Sequence, residues 1–309
     1  MKTAILIGIV FFASFVFCRA QGLQKNKDSA VRFNNKIDDI KNAAEIEKLL
    51  SAIDQRRFEL FTVNESLKFE KRYCEEFANT AKAEPWTKAD FDNNGYTDLL
   101  VIGKSYNHSI IVILDLGKNN FVVKSLNQES FRDCTFPLVQ KTGEQPIITY
   151  YTNIAYYSVR LLPPAATLIY KFGGFIELNE SPKTYKIEKI EYRASGCFGP
   201  CPSFELIINS KRNAVFKPVY FNKRKKGTYR GKIEAAQFNE LTDLLNYIDF
   251  PMLKNDYYVT WTDDQRSFLT ITYDGGKVKK IEDYGLIGTF GLRRVYEILF
   301  DLRENQTWR

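Results

Sequence analysis

The sequence predicts an α+β fold in two parts. N-terminal helices come with a β-meander, and a C-terminal antiparallel sheet packed with two helices follows. Three observations predict it. Aromatic residues make up 15% of the 309, with 24 Phe and 18 Tyr against 2 Met, a bias that suits pleated sheet. Helical periodicity is confined to four stretches, near 37–53, 65–78, 234–248 and 290–303, while short apolar runs bounded by turn residues fill the spaces between. Strands and helices do not alternate strictly, which argues against a parallel doubly wound sheet. With 44% hydrophobic and 26% charged residues the composition is globular, and the length suits two domains.

Taken in order, the chain opens with a leader. Lys2 supplies a positive start, and Ala4 to Phe17 is an unbroken run of small and apolar residues, shorter than the ~20 needed for a membrane span. Ala20 offers the small residue before a cut at Gln21. Phe17 occupies the place where lipid attachment at Cys18 would want a small residue. The expectation is a signal peptide over 1–20 and a mature chain that is exported, periplasmic or extracellular, and soluble after cleavage. Residues 21–35 are polar. A first helix is expected from Ile37 to Ile53 and a second from Glu65 to Ala78, with Phe69, Tyr73 and Phe77 on one face. From Thr97 the period shortens, and runs at 98–102, 109–116, 121–126, 146–151 and 166–172 read as a β-meander. Glu180-Ser181-Pro182-Lys183 is the linker, so the domains are expected at 21–182 and 183–309.

The second part starts with strands near 186–193, 203–209, 214–221 and 227–233. A helix follows with Phe238, Leu241, Leu244, Leu245 and Ile248 as its stripe. Next comes a hairpin turned by Asp274-Gly275-Gly276, and a last helix carries Leu292, Val295, Tyr296, Leu299 and Leu302.

The single histidine, His108, excludes any site built on several histidines. No G-x-S-x-G, P-loop or H-E-x-x-H pattern occurs. After the leader four cysteines remain, Cys74, Cys134, Cys197 and Cys201. In an oxidising compartment an even count reads as disulfides, with three possible connectivities. Cys197 and Cys201, with three residues between them, lie in the Gly- and Pro-rich segment Ser195-Gly196-Cys197-Phe198-Gly199-Pro200-Cys201-Pro202 and can close a small ring, leaving Cys74 to pair with Cys134. A thiol–disulfide protein using Cys197 and Cys201 is one alternative function.

The sharpest motif is Asp90-Phe91-Asp92-Asn93-Asn94-Gly95-Tyr96-Thr97-Asp98, which runs straight into an apolar strand. Asp90, Asp92, Asn94, the Tyr96 carbonyl and Asp98 occupy the first, third, fifth, seventh and ninth places of a calcium-wrapping loop, with Gly95 at the turn. Val101 stands where an EF-hand has its bidentate glutamate. The segment resembles the calcium loops of FG-GAP and VCBS-type β-repeats, and the resemblance implies calcium as the cofactor. A plain reading sits beside it, in which the same side chains cap backbone amides as Asx-turns.

The segment around Cys197 carries a second resemblance. Ser-Gly-Cys-Phe-Gly-x-Cys-Pro precedes an alternating strand at Phe204, Leu206 and Ile208, and further on come Gly227-x-Tyr229-x-Gly231, Phe238-x-x-Leu241, Asp249-Phe250-x-x-Leu253 and Thr262-Asp263. Together they look like a domain of unknown function in exported bacterial proteins, over roughly residues 186–305. The resemblance implies a fold and an exported context and no activity.

Charge is unevenly spread. Residues 211–232 hold Lys211, Arg212, Lys217, Lys223, Arg224, Lys225, Lys226, Arg230 and Lys232 and no acid, although the whole chain carries only +7. An anion-binding patch of Lys217, Lys223, Arg224, Lys225, Lys226, Arg230 and Lys232 is expected, suited to an anionic glycan or an envelope surface rather than to nucleic acid, which is scarce outside the cytoplasm. A solvated edge guarded by lysines is the plain alternative. Asp256, Asp263 and Asp264, interleaved with Tyr257, Tyr258 and Trp261, would be the carboxylates of a hydrolase acting on cell-surface polymers. No catalytic residue is assigned. The reading is an exported, non-enzymatic binding or envelope-associated module, with that hydrolase as the main alternative.

Overall fold

Asn42 sets where the first helix starts. Its side-chain oxygen accepts a hydrogen bond from the Glu45 amide at 3.0 Å, so α1 spans Ala43–Phe58 rather than beginning at Ile37. Ile37 and Ile40 are buried ahead of it in a turn. The computed structural model describes residues 36–128, 134–140, 145–152 and 166–309. The expected leader and the polar stretch after it lie outside the described residues. The second helix, α2, covers only Arg72–Thr80. Glu65, expected inside it, instead lies in a bend ahead of it and accepts the Ala43 amide at 2.9 Å.

The expected meander divides into two sheets. The first contains β1 (Thr62–Val63), β2 (Trp86–Ala89), β3 (Asp98–Lys104), β4 (His108–Asp115) and β5 (Phe121–Ser125), in the order β1-β3-β4-β5 with β2 also on β3. The second contains β6 (Phe136–Gln140), β7 (Ile147–Tyr151), β8 (Ala166–Lys171) and β9 (Gly174–Glu177) in sequence order. β3 and β4 are covered on both faces. Leu99, Val101, Ile111 and Ile113 pack under α1, and Leu100, Ile102, Ile110 and Val112 face Phe136, Ile148 and Leu168 of the second sheet. The three layers are therefore helix, sheet and sheet.

The second part follows the expected order. β10 (Ile187–Ala194), β11 (Ser203–Asn209), β12 (Asn213–Tyr220), β13 (Tyr229–Lys232), β14 (Asp256–Tyr258), β15 (Arg266–Tyr273) and β16 (Lys277–Tyr284) form a sheet of order β13-β12-β11-β10-β15-β16-β14. β14, absent from the strands expected of the sequence, pairs in parallel with β16. Helices α3 (Ala235–Tyr247) and α4 (Phe290–Leu302) cover one face, where Tyr192, Phe204, Leu206, Phe216, Leu269 and Ile281 meet Leu241, Leu244, Val295 and Leu299. The chain end closes the β13 edge. Arg309 and Arg230 exchange backbone hydrogen bonds of 2.9 and 2.8 Å, and Trp308 lies 5.2 Å from the Phe216 ring. Gly231 sits beneath Trp308, because a side chain there would come within 3.0 Å of the indole.

All described residues fall in one compact unit. α4 joins the parts on either side of 182. The Phe290 ring stands 5.3 Å from Tyr150, Arg293 donates to the Asn127 carbonyl at 2.7 Å, and Arg294 donates to the Phe172 carbonyl at 2.6 Å. Glu177 of β9 caps the helix, accepting the amides of Phe290 and Gly291 at 2.7 and 2.8 Å. Among the described residues no helix is long and apolar enough to cross a membrane.

Candidate functional site

The turn between β2 and β3 is built by its own side chains. Asn93 and Gly95 adopt left-handed backbone, with φ of 60° and 89°. Glycine and asparagine tolerate this conformation best, and it folds the chain sharply enough to bring residues 90 and 98 together. Asp90 accepts the amides of Asn94 and Gly95 at 3.0 and 2.9 Å, Asp92 accepts the Asn94 amide at 3.2 Å, and Asn94 Oδ1 accepts the Tyr96 amide at 2.8 Å. Phe91, wholly buried, anchors the loop against Phe175 at 5.7 Å.

Asp90, Asp92 and Asp98 each offer a carboxylate oxygen, and these oxygens lie within 4.8 Å of one another. Among the described residues no other trio of acidic, histidine or cysteine side chains gathers in this way. Asp98 is 0% exposed, and its oxygens also accept the amides of Phe91 and Asp115, both at 2.8 Å. Burial pushes the Asp98 carboxyl up to about 8, against the opposing amide of Asp115. Asp92 is pushed up to about 6, first by burial and then by the neighbouring Asp90 charge. Burial thus disfavours the charged form of two of the three carboxyls, and no described salt bridge brings a lysine or arginine to them. The donor set, oxygen only and acidic, fits a hard divalent cation. Asn94 turns its NH2 group to Asp92 and to the Asp115 carbonyl at 3.1 and 2.8 Å, so the three aspartates form the convergent set. The Asx-turn hydrogen bonds of the plain reading are present in the same loop.

The cysteines pair as Cys74–Cys134 and Cys197–Cys201, with Cα separations of 5.5 and 5.6 Å. The first ties α2 to the chain just before β6. The second closes a ring whose base is pinned by Gln265, which donates to the carbonyls of Ser195 and Pro202 at 2.8 and 2.7 Å. The ring holds Phe198 out at 90% exposure.

Strand alternation places Lys217, Arg230 and Lys232 on the sheet face away from the helices, since Ala214 and Phe216 point into the core and Arg230 lies opposite Val215. Lys217 is paired with Glu205 at 3.0 Å, and Lys232 sits opposite Asn213, at the far end of the strand from the Lys223–Lys226 turn. Lys223, Arg224, Lys225 and Lys226 are all exposed in the β12–β13 connection, with Lys223 held 3.1 Å from Glu304. The patch is thus a dense turn with a thinner extension along the outer face.

The expected hydrolase carboxylates are spread out. Asp256 lies on β14, Asp264 accepts the Trp261 indole N–H, and Asp263 sits in a left-handed turn with φ of 74° beside Thr262. Sequence reasoning missed two acids, one half-buried and one wholly buried. Glu177 caps α4, and Asp283, wholly buried, accepts the amides of Ile287 and Gly288, both at 2.9 Å. Neither has a local signal, because their partners stand elsewhere in the chain or in an irregular turn. Sequence reasoning also passed over Tyr220 and Phe221, whose place directly ahead of the basic run was visible.

The fold and its loops thus define an α+β protein with two disulfides and one acidic, oxygen-rich turn. Residues 188–303, from β10 to the end of α4, match a family described as a domain of unknown function (DUF6438). No curated protein matches the chain.

Proposed function

We propose that this chain is an exported, non-enzymatic binding module whose first sheet is tightened by Ca²⁺ at Asp90, Asp92 and Asp98. The observation that carries the reading is the convergence of three carboxylates, one of them wholly buried, with no cationic side chain among the described salt bridges to neutralise them. Asn94 and the Tyr96 carbonyl would complete the shell once Asn94 turns its oxygen inward. Two disulfides suit an exported context, where millimolar Ca²⁺ is met by weak sites of Kd about 10⁻⁴–10⁻³ M. The ion would supply charge neutralisation and rigidity to the β2–β3 turn and no chemistry.

The test is thermal unfolding with Ca²⁺, with Mg²⁺ and with chelator. A tenfold to hundredfold excess of Ca²⁺ over Kd adds about 1.4–2.7 kcal/mol, which in a protein of this size raises Tm by roughly 3–10 °C. Asp92→Asn should abolish most of the shift. An unchanged Tm in millimolar Ca²⁺, or the same shift in Asp92→Asn, overturns the proposal.

A further inference from the structure

One end of the seven-stranded sheet gathers exposed aromatic rings beside the basic turn. β10 ends at Ala194 opposite Phe204, β11 begins at Ser203 opposite Tyr220, and β15 begins at Arg266 opposite Tyr284, which also faces Tyr258 of β14. The connections 195–202, 221–228 and 259–265 therefore all leave at the same end. Phe198 is 90% exposed on the first, Tyr220 and Phe221 are 66% and 61% exposed at the start of the second, and Tyr258 is 70% exposed at the start of the third. Strands lie about 4.8 Å apart, so the Phe198 ring and the Phe221 turn stand roughly 10–15 Å from each other.

These rings are held out by structure. Phe198 rides on the Cys197–Cys201 ring, and its amide donates to the Asp263 carbonyl at 3.0 Å. Phe221 takes a left-handed backbone with φ of 51°, which a bulky residue adopts only when its surroundings impose it. Asn222 fixes that turn, donating to the carbonyls of Ser203 and Tyr220 at 2.8 and 2.6 Å and accepting from Arg303 at 3.2 Å. Lys223, Arg224, Lys225 and Lys226 follow at once. The acids at this end are engaged elsewhere. Glu304 holds Lys223 and Arg303, Asp264 takes the Trp261 indole, and Asp263 lies against Thr262.

We propose that this end of the sheet docks on an anionic lipid surface, with Phe198 and Phe221 entering the headgroup–acyl boundary and Arg224, Lys225 and Lys226 resting on the phosphates. The inference rests on the reading of the chain as an exported binding module and is independent of its Ca²⁺ loop. The Phe198 and Phe221 rings are wholly apolar, and apolar rings flanked by lysine and arginine fit the boundary of a bilayer, with the Tyr220 and Tyr258 hydroxyls suited to its polar side. The positive turn complements the negative surface potential of anionic lipid, and each basic residue there strengthens binding by roughly fivefold.

The experiment is co-sedimentation of the purified protein with vesicles of phosphatidylcholine, with and without phosphatidylglycerol, at low and physiological salt, and in chelator. Binding is expected only with phosphatidylglycerol, weakened by salt and retained in chelator. Replacing Arg224, Lys225 and Lys226 with serine should weaken binding about a hundredfold. Phe198→Ser and Phe221→Asn should each weaken it about tenfold while leaving Tm unchanged, since both rings are exposed. A Phe198→Trp variant should blue-shift on vesicles and be quenched by brominated acyl chains. Absence of binding to anionic vesicles overturns the proposal. So does binding that survives the three-serine variant or ignores both phenylalanines. Salt-sensitive retention on dextran sulfate without retention on vesicles assigns the surface to an anionic glycan instead. Loss of vesicle binding in chelator would tie the surface to the Ca²⁺ loop and overturn its independence.

Discussion

Replacing Glu177 with alanine should cost the fold about 2–4 kcal/mol and weaken the hold of the two parts on each other. The carboxylate accepts the first two amides of α4, from Phe290 at 2.7 Å and Gly291 at 2.8 Å, and both of these donor residues are buried. Alanine leaves both donors without an acceptor and with little access to water. Each buried donor so stranded costs roughly 1–3 kcal/mol, and loss of a negative charge at a helix N-terminus costs about 0.3–2 kcal/mol more. The variant also loses a carboxyl whose burial already pushes its pKa above the ordinary glutamate value, a relief that holds the net figure at the low end of the sum. Urea unfolding followed by far-ultraviolet circular dichroism measures the loss directly, and thermal melts should fall by roughly 5–15 °C. Glu177→Gln keeps one acceptor oxygen and should show about half the effect. An alanine variant within about 0.5 kcal/mol of the parent, the range of neutral surface changes, would refute the assignment of Glu177 as the cap.

Other perturbations have equally definite outcomes. Replacing Cys74 and Cys134 with serine frees a loop of 60 residues and should cost about 4 kcal/mol in equilibrium unfolding, whereas opening the Cys197–Cys201 ring, with a separation of 4, should cost roughly half as much. Burial raises the carboxyls of Glu177 and Asp283 in the fold, so the added stability of their protonated forms is full below the ordinary values of 4.5 and 3.8 and is lost as the pH rises through the folded values. Asp283→Asn should accordingly flatten the fall of the urea midpoint with rising pH.

How far the sequence can be read depends on how each strand is covered. β11, β12 and β15 face helices on one side and water on the other, so their residues alternate and their bounds are legible. β3 is covered on both faces, and its apolar run Leu99–Ile102 gives no sign of which neighbour takes which side. The division of the meander into two packed sheets was hidden for that reason. β14 has three residues and a parallel partner two elements away, a pairing that leaves no local pattern. The carboxylate loop was legible because all its oxygens come from nine consecutive residues. The α4 cap was not, because Glu177 and Phe290 meet only through the tertiary fold.

The closure of β13 by the chain end bears on self-association. A strand at the margin of a sheet offers its free N–H and C=O groups to any extended peptide, including a second copy of itself. β13 is four residues long, and Arg309 already occupies two of its backbone bonds at Arg230 while Trp308 lies over Gly231. Trp308 and Arg309 thus act as a stopper over this margin of the sheet. A chain trimmed before Trp308 would keep every strand and both helices, yet it would present an adhesive margin beside the uncovered Phe216 ring, and its defect would appear as assembly rather than as unfolding.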